Sequence, residues 1–241
     1  MSAEAKRDWP NHIANLISNT EEVMTLLRLH ASLIGGKRGR PKVVEGLDLE
    51  VLSKGALVLL VACWEAYVED LATNAFDFLL AAAVEHTTFP SKVLARASRN
   101  LVEDEDRTKV WQLAGSGWKL VLKRHRQEVL DRYAGRLNTP RQTQVDALSA
   151  DLIGLRGLSK QWKWRGTSNQ SAIDRLERLV TLRGEISHRV TASRSVHRRY
   201  VESSTDLIQR LAAISSNAVR EFLIGRVGSK PWVSMQYGET R

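Results

Sequence analysis

The chain has 241 residues, of which 43% are hydrophobic and 26% charged, and such proportions exclude extended disorder and favour a packed core. Lysine and arginine exceed the acidic residues by 36 to 27, a net charge of +9 that favours a polyanionic partner such as nucleic acid. The single cysteine, Cys63, excludes an intramolecular disulfide and a thiolate zinc site. We expect a cytoplasmic protein without a membrane span, because no secretory signal is visible and the longest apolar run, Ala56 to Trp64, is short.

Helical periodicity runs through the sequence and predicts an all-α fold. The first predicted helix covers about Asn11 to Leu33 and precedes a basic loop, Gly35 to Pro41, which is either a solvated connection or a phosphate contact. The second, about Leu49 to Val84, is apolar all round between residues 56 and 64, which places it in the middle of a helical bundle. Further helices are predicted to begin at Ser91 and to cover about 118–137, 144–152, 171–187 and 196–224.

Glu65 stands on the apolar face of the second predicted helix. The residues three, four and seven positions before it, Ala62, Val61 and Val58, are all apolar, so Glu65 continues their stripe. A carboxylate in such a position is destabilising unless it is paired or hydrogen-bonded. We therefore expect a cationic partner from another helix, with Glu69 one turn further along the same face.

Basic residues alternate with tryptophans between Ile153 and Gly166. Such a pattern is compatible with bases stacked on the indole rings and a phosphate backbone held by the cations. It is equally compatible with two tryptophans packed at the base of the bundle beneath a solvated loop. The sequence leaves both interpretations open for Arg156, Lys160, Trp162, Lys163, Trp164 and Arg165.

Arg183 and His188, near the end of a predicted helix, are the residues best suited to chemistry. No phosphate-binding loop, dinucleotide-binding loop or zinc-protease motif is present, and the histidines lack ligand spacing, so no metal or cofactor is predicted. Histidine can move the protons of RNA cleavage near neutral pH. Arginine can stabilise the additional negative charge that the phosphate carries in the transition state.

The spacing of this pair constrains how it can act. Five residues of regular helix turn a side chain through about 500°, which leaves Arg183 and His188 roughly 140° apart. Either the helix opens near Gly184, a poor helix former, or the site is completed across a dimer. In both cases Glu65 is the candidate partner that fixes the Arg183 guanidinium.

Three segments resemble the HEPN superfamily, specifically its RiboL-PSP-type branch of prokaryotic helical proteins. The first is the apolar stretch from Leu57 to Leu71 with its Trp-Glu pair. The second is Leu137-Asn-Thr-Pro140, followed by Leu152-Ile-Gly154 and then Trp162. The third runs from Ile173 to His188 and ends in an Arg-x4-His sequence similar to the family motif.

The resemblance covers about residues 50–225 and implies an all-α, HEPN-type helical bundle with a four-helix core and extra helices. We predict a single HEPN-like domain over 1–241, in which 1–49 supplies an N-terminal helix and basic linker and 225–241 a C-terminal tail. The resemblance also implies a metal-independent RNA endonuclease that leaves 2′,3′-cyclic phosphate ends and needs no cofactor. It implies a homodimer whose two motifs face each other, and a role in toxin–antitoxin pairs, phage defence or RNA processing, with a cognate antitoxin or defence-system partner.

Carried over to this chain, the family motif assigns Arg183 and His188 to the catalytic site, and Glu65 is predicted to orient Arg183. Basic residues near the motif and in the tryptophan segment are predicted to guide the RNA backbone, although each one taken singly also suits a solvated face. The predicted RNA-binding residues are Arg189, Arg194, His197, Arg198, Arg199, Lys160, Lys163 and Arg165.

One position departs from the family pattern. Gly184 follows the motif arginine where the family usually has a polar residue, often Asn, Asp or His. This favours a second hypothesis, a non-catalytic HEPN module that binds RNA or a partner protein. A third hypothesis is a structural helical dimer with no nucleic-acid role, whose positive charge serves solubility.

Overall fold

The computed structural model describes residues 9–34, 46–134, 140–189 and 195–236. The all-α prediction is confirmed, because this part of the chain forms α-helices joined by loops and short 3₁₀ turns, with no strand. The predicted basic loop, Gly35 to Pro41, lies outside the described residues. The helices are α1 (Asn11–Ile34), α2 (Gly46–Ala82), α3 (Ser91–Val102), α4 (Gly117–Ala134), α5 (Gln142–Leu152), α6 (Asn169–Arg189) and α7 (Arg198–Val227).

Helix α2 lies at the centre of the bundle, as its apolar sequence predicts. It contacts α1 along much of its length and also packs against α4, α5, α6 and α7. Buried hydrophobic side chains from every α-helix join one continuous core around it. We propose on this basis that the chain forms one domain.

One side of α2 is less buried than the sequence predicts. Val51 is 64% exposed and Leu59 is 42% exposed, and Ala62 is exposed as well, with Val58 half-buried beside them. Val58, Leu59 and Ala62 follow Val51 by seven, eight and eleven positions, so the four residues share one helical face. We name this face the α2 outer stripe. The stretch 56–64 is therefore apolar on every side but leaves Leu59 and Ala62 exposed on this face.

Helix α2 is also the one helix of the described residues that is long and apolar enough to cross a membrane, by length and composition alone. Half of its most apolar window is buried inside the protein. A core helix of a globular bundle passes the same test, so this property is weak evidence for a membrane span.

The indole of Trp64 ties α2 to the rest of the bundle. It is fully buried, and its Nε1 donates a hydrogen bond to the Pro140 carbonyl oxygen at 2.9 Å. Its ring meets that of Trp162 edge-on, with centroids 6.0 Å apart. Trp64 therefore joins α2 to the segment at Pro140 and to the loop that carries Trp162.

The structure decides between the two interpretations of the tryptophan segment. Trp162 is fully buried and donates from Nε1 to the Ser215 hydroxyl at 2.9 Å. Trp164 is half-buried against the core, with the Arg210 guanidinium over its ring. The two rings pack against the bundle, and base stacking on Trp162 is excluded in this arrangement.

We predict that Gly154→Ala destabilises the fold more than Gly166→Ala. Both glycines have φ near +80°, a conformation that is unfavourable for alanine by about 1–2 kcal/mol. At Gly154 an added Cβ would also lie 2.5 Å from Pro90 Cγ, whereas at Gly166 it would meet nothing within 4 Å. Urea denaturation should show a further loss of about 1–3 kcal/mol for Gly154→Ala alone. Equal losses in the two variants would contradict the close packing of Gly154 against Pro90.

Candidate active site

Helix α6 places Arg183 on the side that faces the core. Leu176, Leu179 and Ile186 are buried at spacings of three and four residues around it, and α6 packs against α2 along this stripe. Arg183 belongs to the same stripe and is half-buried. Its guanidinium is therefore directed towards the neighbouring helix α2.

His188 lies on a different face of the same helix. Helix α6 continues without a break past Gly184 to Arg189, so the opening of the helix that the spacing left possible does not occur. Regular helical geometry then keeps Arg183 and His188 roughly 140° apart. Arg183 turns towards the core while His188 is exposed to solvent.

Glu65 of α2 is the acidic residue on which Arg183 acts. Its side chain is half-buried, and burial raises the pKa of the Glu65 carboxyl, while the positive charge of Arg183 opposes that rise. A nearby Glu69 carboxylate adds to the rise in pKa. The cation that acts on the pKa of Glu65 is thus Arg183, which comes from another helix of the core.

Glu69 has a different electrostatic environment from Glu65. Burial raises the pKa of the Glu69 carboxyl, and the charge that adds to this effect is that of Asp70. Asp70 itself accepts a hydrogen bond of 2.7 Å from the Asn15 side chain of α1. The charge of Arg183 therefore acts on the pKa of Glu65, whereas the neighbouring charge that acts on the pKa of Glu69 is that of Asp70.

Two of the predicted RNA-binding residues lie at the start of α7. The backbone nitrogen of Val196 donates to the Glu50 carboxylate at 3.2 Å, which ties the start of α7 to the first half of α2. His197, which precedes α7, and Arg199, in its first turn, both have exposed side chains.

Three further predictions concern Arg189, Arg194 and Arg198, which follow His188 in the sequence. Arg198 donates to the Glu202 carboxylate at 2.7 Å, one turn along α7. Arg194 and the side chain of Arg189 lie outside the described part of the chain.

The other predicted RNA-binding group, Lys160, Lys163 and Arg165, lies at the opposite end of α6. All three side chains are exposed. The Asn169 amide at the first residue of α6 donates to the Ser159 carbonyl oxygen at 2.6 Å, which holds their loop there. Asn169 precedes Arg183 by 14 residues, or about 21 Å of helix. The structure therefore does not bring this group beside Arg183.

Arg141 is a cation near the site that the sequence analysis missed. It pairs with the Glu177 carboxylate, and its Nη2 donates to the Thr181 hydroxyl at 3.1 Å. Since His188 follows Thr181 by seven residues, or about two helical turns, Arg141 lies along the face of α6 that carries His188 and not along the Arg183 face. In the sequence, Arg141 is marked only by its position directly after Pro140. The structure adds that the Pro140 carbonyl oxygen accepts a hydrogen bond from Trp64.

The remaining candidates for chemistry are poorly suited to it. Burial raises the pKa of the Cys63 thiol to about 11, which keeps the thiol protonated and unreactive at neutral pH. Within the described ranges, no group of three or more His, Cys, Asp or Glu residues is arranged to hold a metal ion. The arginine, histidine and glutamate around α6 are thus the best-supported site.

Comparison with known proteins identifies the family of the chain. The family model of RiboL-PSP-HEPN proteins matches residues 18–219, a range that includes Glu65, Arg183 and His188. No curated protein and no solved structure gave a significant match. Because the family model matches well over half of the chain, the chain belongs to the RiboL-PSP-HEPN family.

Proposed function

We propose that the protein is an endoribonuclease that cleaves RNA without a metal ion and leaves 2′,3′-cyclic phosphate ends. HEPN domains generally bind RNA, and ribonuclease activity is frequent among them. The proposal depends on one observation, the Arg-x4-His sequence at the end of α6 with its arginine directed at a half-buried glutamate.

The reaction needs a proton transfer and charge stabilisation. His188 accepts the proton of the ribose 2′-hydroxyl, whose oxygen attacks the adjacent phosphorus. The bond from phosphorus to the 5′-oxygen breaks, and that oxygen takes up a proton as it leaves. Arg183 donates hydrogen bonds to the phosphate oxygens while their negative charge is greatest.

Glu65 acts through Arg183. A carboxylate beside a guanidinium restricts its rotation, so less freedom is lost when the arginine binds the phosphate. Further candidates for contacts with the RNA backbone are Arg141, His197 and Arg199. Arg141 lies against α6, and the exposed side chains of His197 and Arg199 follow α6 in the chain.

We further propose that two copies of the chain complete each site. Since α6 is unbroken, Arg183 and His188 of one copy lie on different faces of the helix, and of the two arrangements that their spacing allows, the site completed by a second copy is the one left. HEPN domains often dimerise, and the α2 outer stripe offers exposed apolar surface that borders Glu65. A homodimer through this stripe would put Arg183 of one copy near His188 of the other. We also propose a cognate antitoxin or a defence-system protein as a further partner.

Gly184 favours a second candidate function, a non-catalytic module that binds RNA or a partner protein. The position has no side chain to hydrogen-bond with its neighbours, and an added Cβ would meet nothing within 4 Å. The two functions differ in whether binding leads to cleavage.

We predict that His188→Ala abolishes RNA cleavage while RNA binding persists. The purified wild-type protein, incubated with total cellular RNA in excess EDTA, should produce cyclic-phosphate ends, because its chemistry needs no metal. The variant loses the group that moves the proton, and a loss of about 10²–10⁴-fold in rate is expected. Gel analysis of the RNA and chemical identification of its ends provide the measurement.

His86→Ala is the matched control, since His86 is also exposed but lies in the turn between α2 and α3. It should cleave RNA at the wild-type rate. Equal cleavage by wild type and His188→Ala would show that the assigned mechanism is wrong. If the wild type and both variants bind RNA but none of them cleaves it, the result would favour the non-catalytic module.

We predict that Glu65→Gln reduces cleavage without reducing stability. Burial raises the pKa of Glu65 in the folded state, so its ionised form opposes folding, and this penalty grows as pH rises through the titration of the carboxyl. Glutamine removes the penalty but holds Arg183 less firmly. We expect unchanged or greater stability near neutral pH, and a cleavage rate reduced by about 10- to 100-fold.

Glu69→Gln is the control, because Glu69 lies one turn away and the neighbouring charge that acts on it is Asp70. Its cleavage rate should stay close to that of the wild type. A large fall in the melting temperature of Glu65→Gln, with normal activity per folded molecule, would instead make the role of Glu65 structural.

A further inference from the structure

A cleft lined by aromatic rings and hydrogen-bonding side chains lies away from the candidate active site. It has a volume of about 760 Å³ and is bounded by the start of α1, the second half of α2 and the tail that follows α7. The rings of Trp9, Phe78 and Trp232 line it, and each is half-buried. Its volume is within the range of about 300–1,000 Å³ that is usual for small-molecule sites.

The tail that forms one wall of the cleft is held in place by specific contacts. The Asn217 side chain donates to the Met235 carbonyl oxygen and accepts from the Met235 nitrogen, both at 2.8 Å. Arg220 Nε donates to the Trp232 carbonyl oxygen at 2.8 Å. The indole of Trp232 meets the buried His12 ring edge-on, with centroids 4.8 Å apart. The wall is therefore formed before any ligand binds.

His12 orients the Asn74 side chain on the opposite wall. Burial lowers the pKa of His12 to about 3, so the ring is neutral, with one donor nitrogen and one acceptor. The Asn74 amide nitrogen lies 3.1 Å from Nδ1, and the Ser216 hydroxyl lies 3.0 Å from Nε2. With Nδ1 as acceptor, the ring holds the amide nitrogen of Asn74. The Asn74 carbonyl oxygen has no hydrogen-bond partner in the described ranges and stays available to a ligand that donates.

The charges around the cleft favour an anionic ligand over a cationic one. Asp77 on its wall pairs with Arg126, and Arg220 pairs with Glu221. Lys230 also lines the cleft, is exposed, and forms no ion pair with any described residue. An ammonium group would be repelled by this lysine, whereas a carboxylate would pair with it.

A sugar ring matches both kinds of group that line the cleft. The C–H bonds on one face of a hexose form an apolar surface, whose slightly positive hydrogens are attracted to the negative face of an aromatic ring. Its hydroxyl groups donate and accept at the edge of the ring, which suits the side chains of Asn11, Asn74 and Ser234. A hydrocarbon would remove water from these polar groups without replacing its hydrogen bonds. An aromatic acid would satisfy the rings and the lysine but has no hydroxyl to donate to Asn74.

We propose that this cleft binds an acidic saccharide, of which a hexuronic acid is the simplest unit. The apolar face of the sugar lies against Trp9 and Trp232, its hydroxyl groups meet Asn74, and its carboxylate pairs with Lys230. Asn74 follows Glu65 by nine residues, or about 13 Å along α2, and its hydrogen-bond partner belongs to α1. The site is therefore separate from Arg183 and independent of the proposed cleavage reaction.

Ligand-detected NMR titration of the full chain with three matched probes tests this proposal. Glucuronate carries the sugar face, the hydroxyl groups and the carboxylate, glucose lacks the carboxylate, and benzoate lacks the hydroxyl groups. Glucuronate should bind at millimolar concentration and more tightly than either of the others. Its advantage over glucose should be about 2- to 5-fold at low ionic strength, as expected for one exposed ion pair, and should shrink as salt is added.

Two variants separate the contributions of the ring and the charge. Trp9→Ala should weaken glucuronate and glucose alike by about 3- to 10-fold, because one aromatic face is lost. Lys230→Ala should leave glucose unchanged and bring glucuronate down to the affinity of glucose. Because Lys230 is exposed, this variant keeps the test valid if Trp9→Ala unfolds.

Two controls share the chemistry of these variants but lie elsewhere. Trp111 is 76% exposed between α3 and α4, and Lys160 is exposed at the far end of α6. Alanine at either position should leave the binding of all three probes unchanged.

Three results would overturn the proposal. The first is the absence of binding by glucuronate at high millimolar concentration. The second is equal binding of glucuronate and glucose, or of glucuronate and benzoate, since the cleft would then recognise no acid or no hydroxyl group. The third is binding of glucuronate that is unchanged in Lys230→Ala, which would place the carboxylate elsewhere on the protein.

Discussion

The burial of Trp64 is the interaction on which the rest of this structure depends. Its hydrogen bond to Pro140 and its edge-on contact with Trp162 hold α2 in one rotation about its axis. Glu65 is the next residue, so the same rotation determines which way its carboxylate is directed. The core and the candidate site are thus coupled through consecutive residues, and a change that loosened Trp64 would disturb both.

The continuity of α6 is the second constraint, and it shapes the proposed chemistry. A helix that opened at Gly184 would have let one copy present both functional side chains to one phosphate. The unbroken helix separates them instead. A second copy would be needed to complete the site, and the exposed apolar face of α2 is the surface that we propose it contacts. Dimerisation through that face would shield apolar surface and assemble a site from two copies.

Periodicity predicted the helices and the central place of α2, because apolar spacing records which face of each helix is buried. It also predicted a cation for Glu65, since a carboxylate on an apolar stripe needs one, and the charge of Arg183 acts on the pKa of Glu65. The exposure of Leu59 and Ala62 could not be predicted, because an exposed apolar residue within a long apolar run has the same sequence signature as one in the core. Neither the burial of Trp162 nor the distance of Lys160 from Arg183 follows from local spacing, because both depend on how loops pack.

A complementation experiment tests the shared site most directly. Arg183→Ala and His188→Ala chains, each inactive alone, are co-expressed with different tags, and the mixed dimer is purified through both. If each site combines Arg183 of one copy with His188 of the other, the mixed dimer has one intact site and should cleave RNA at about half the wild-type rate. A mixed dimer as inactive as its parents would contradict the account, because each copy would then use its own arginine and histidine.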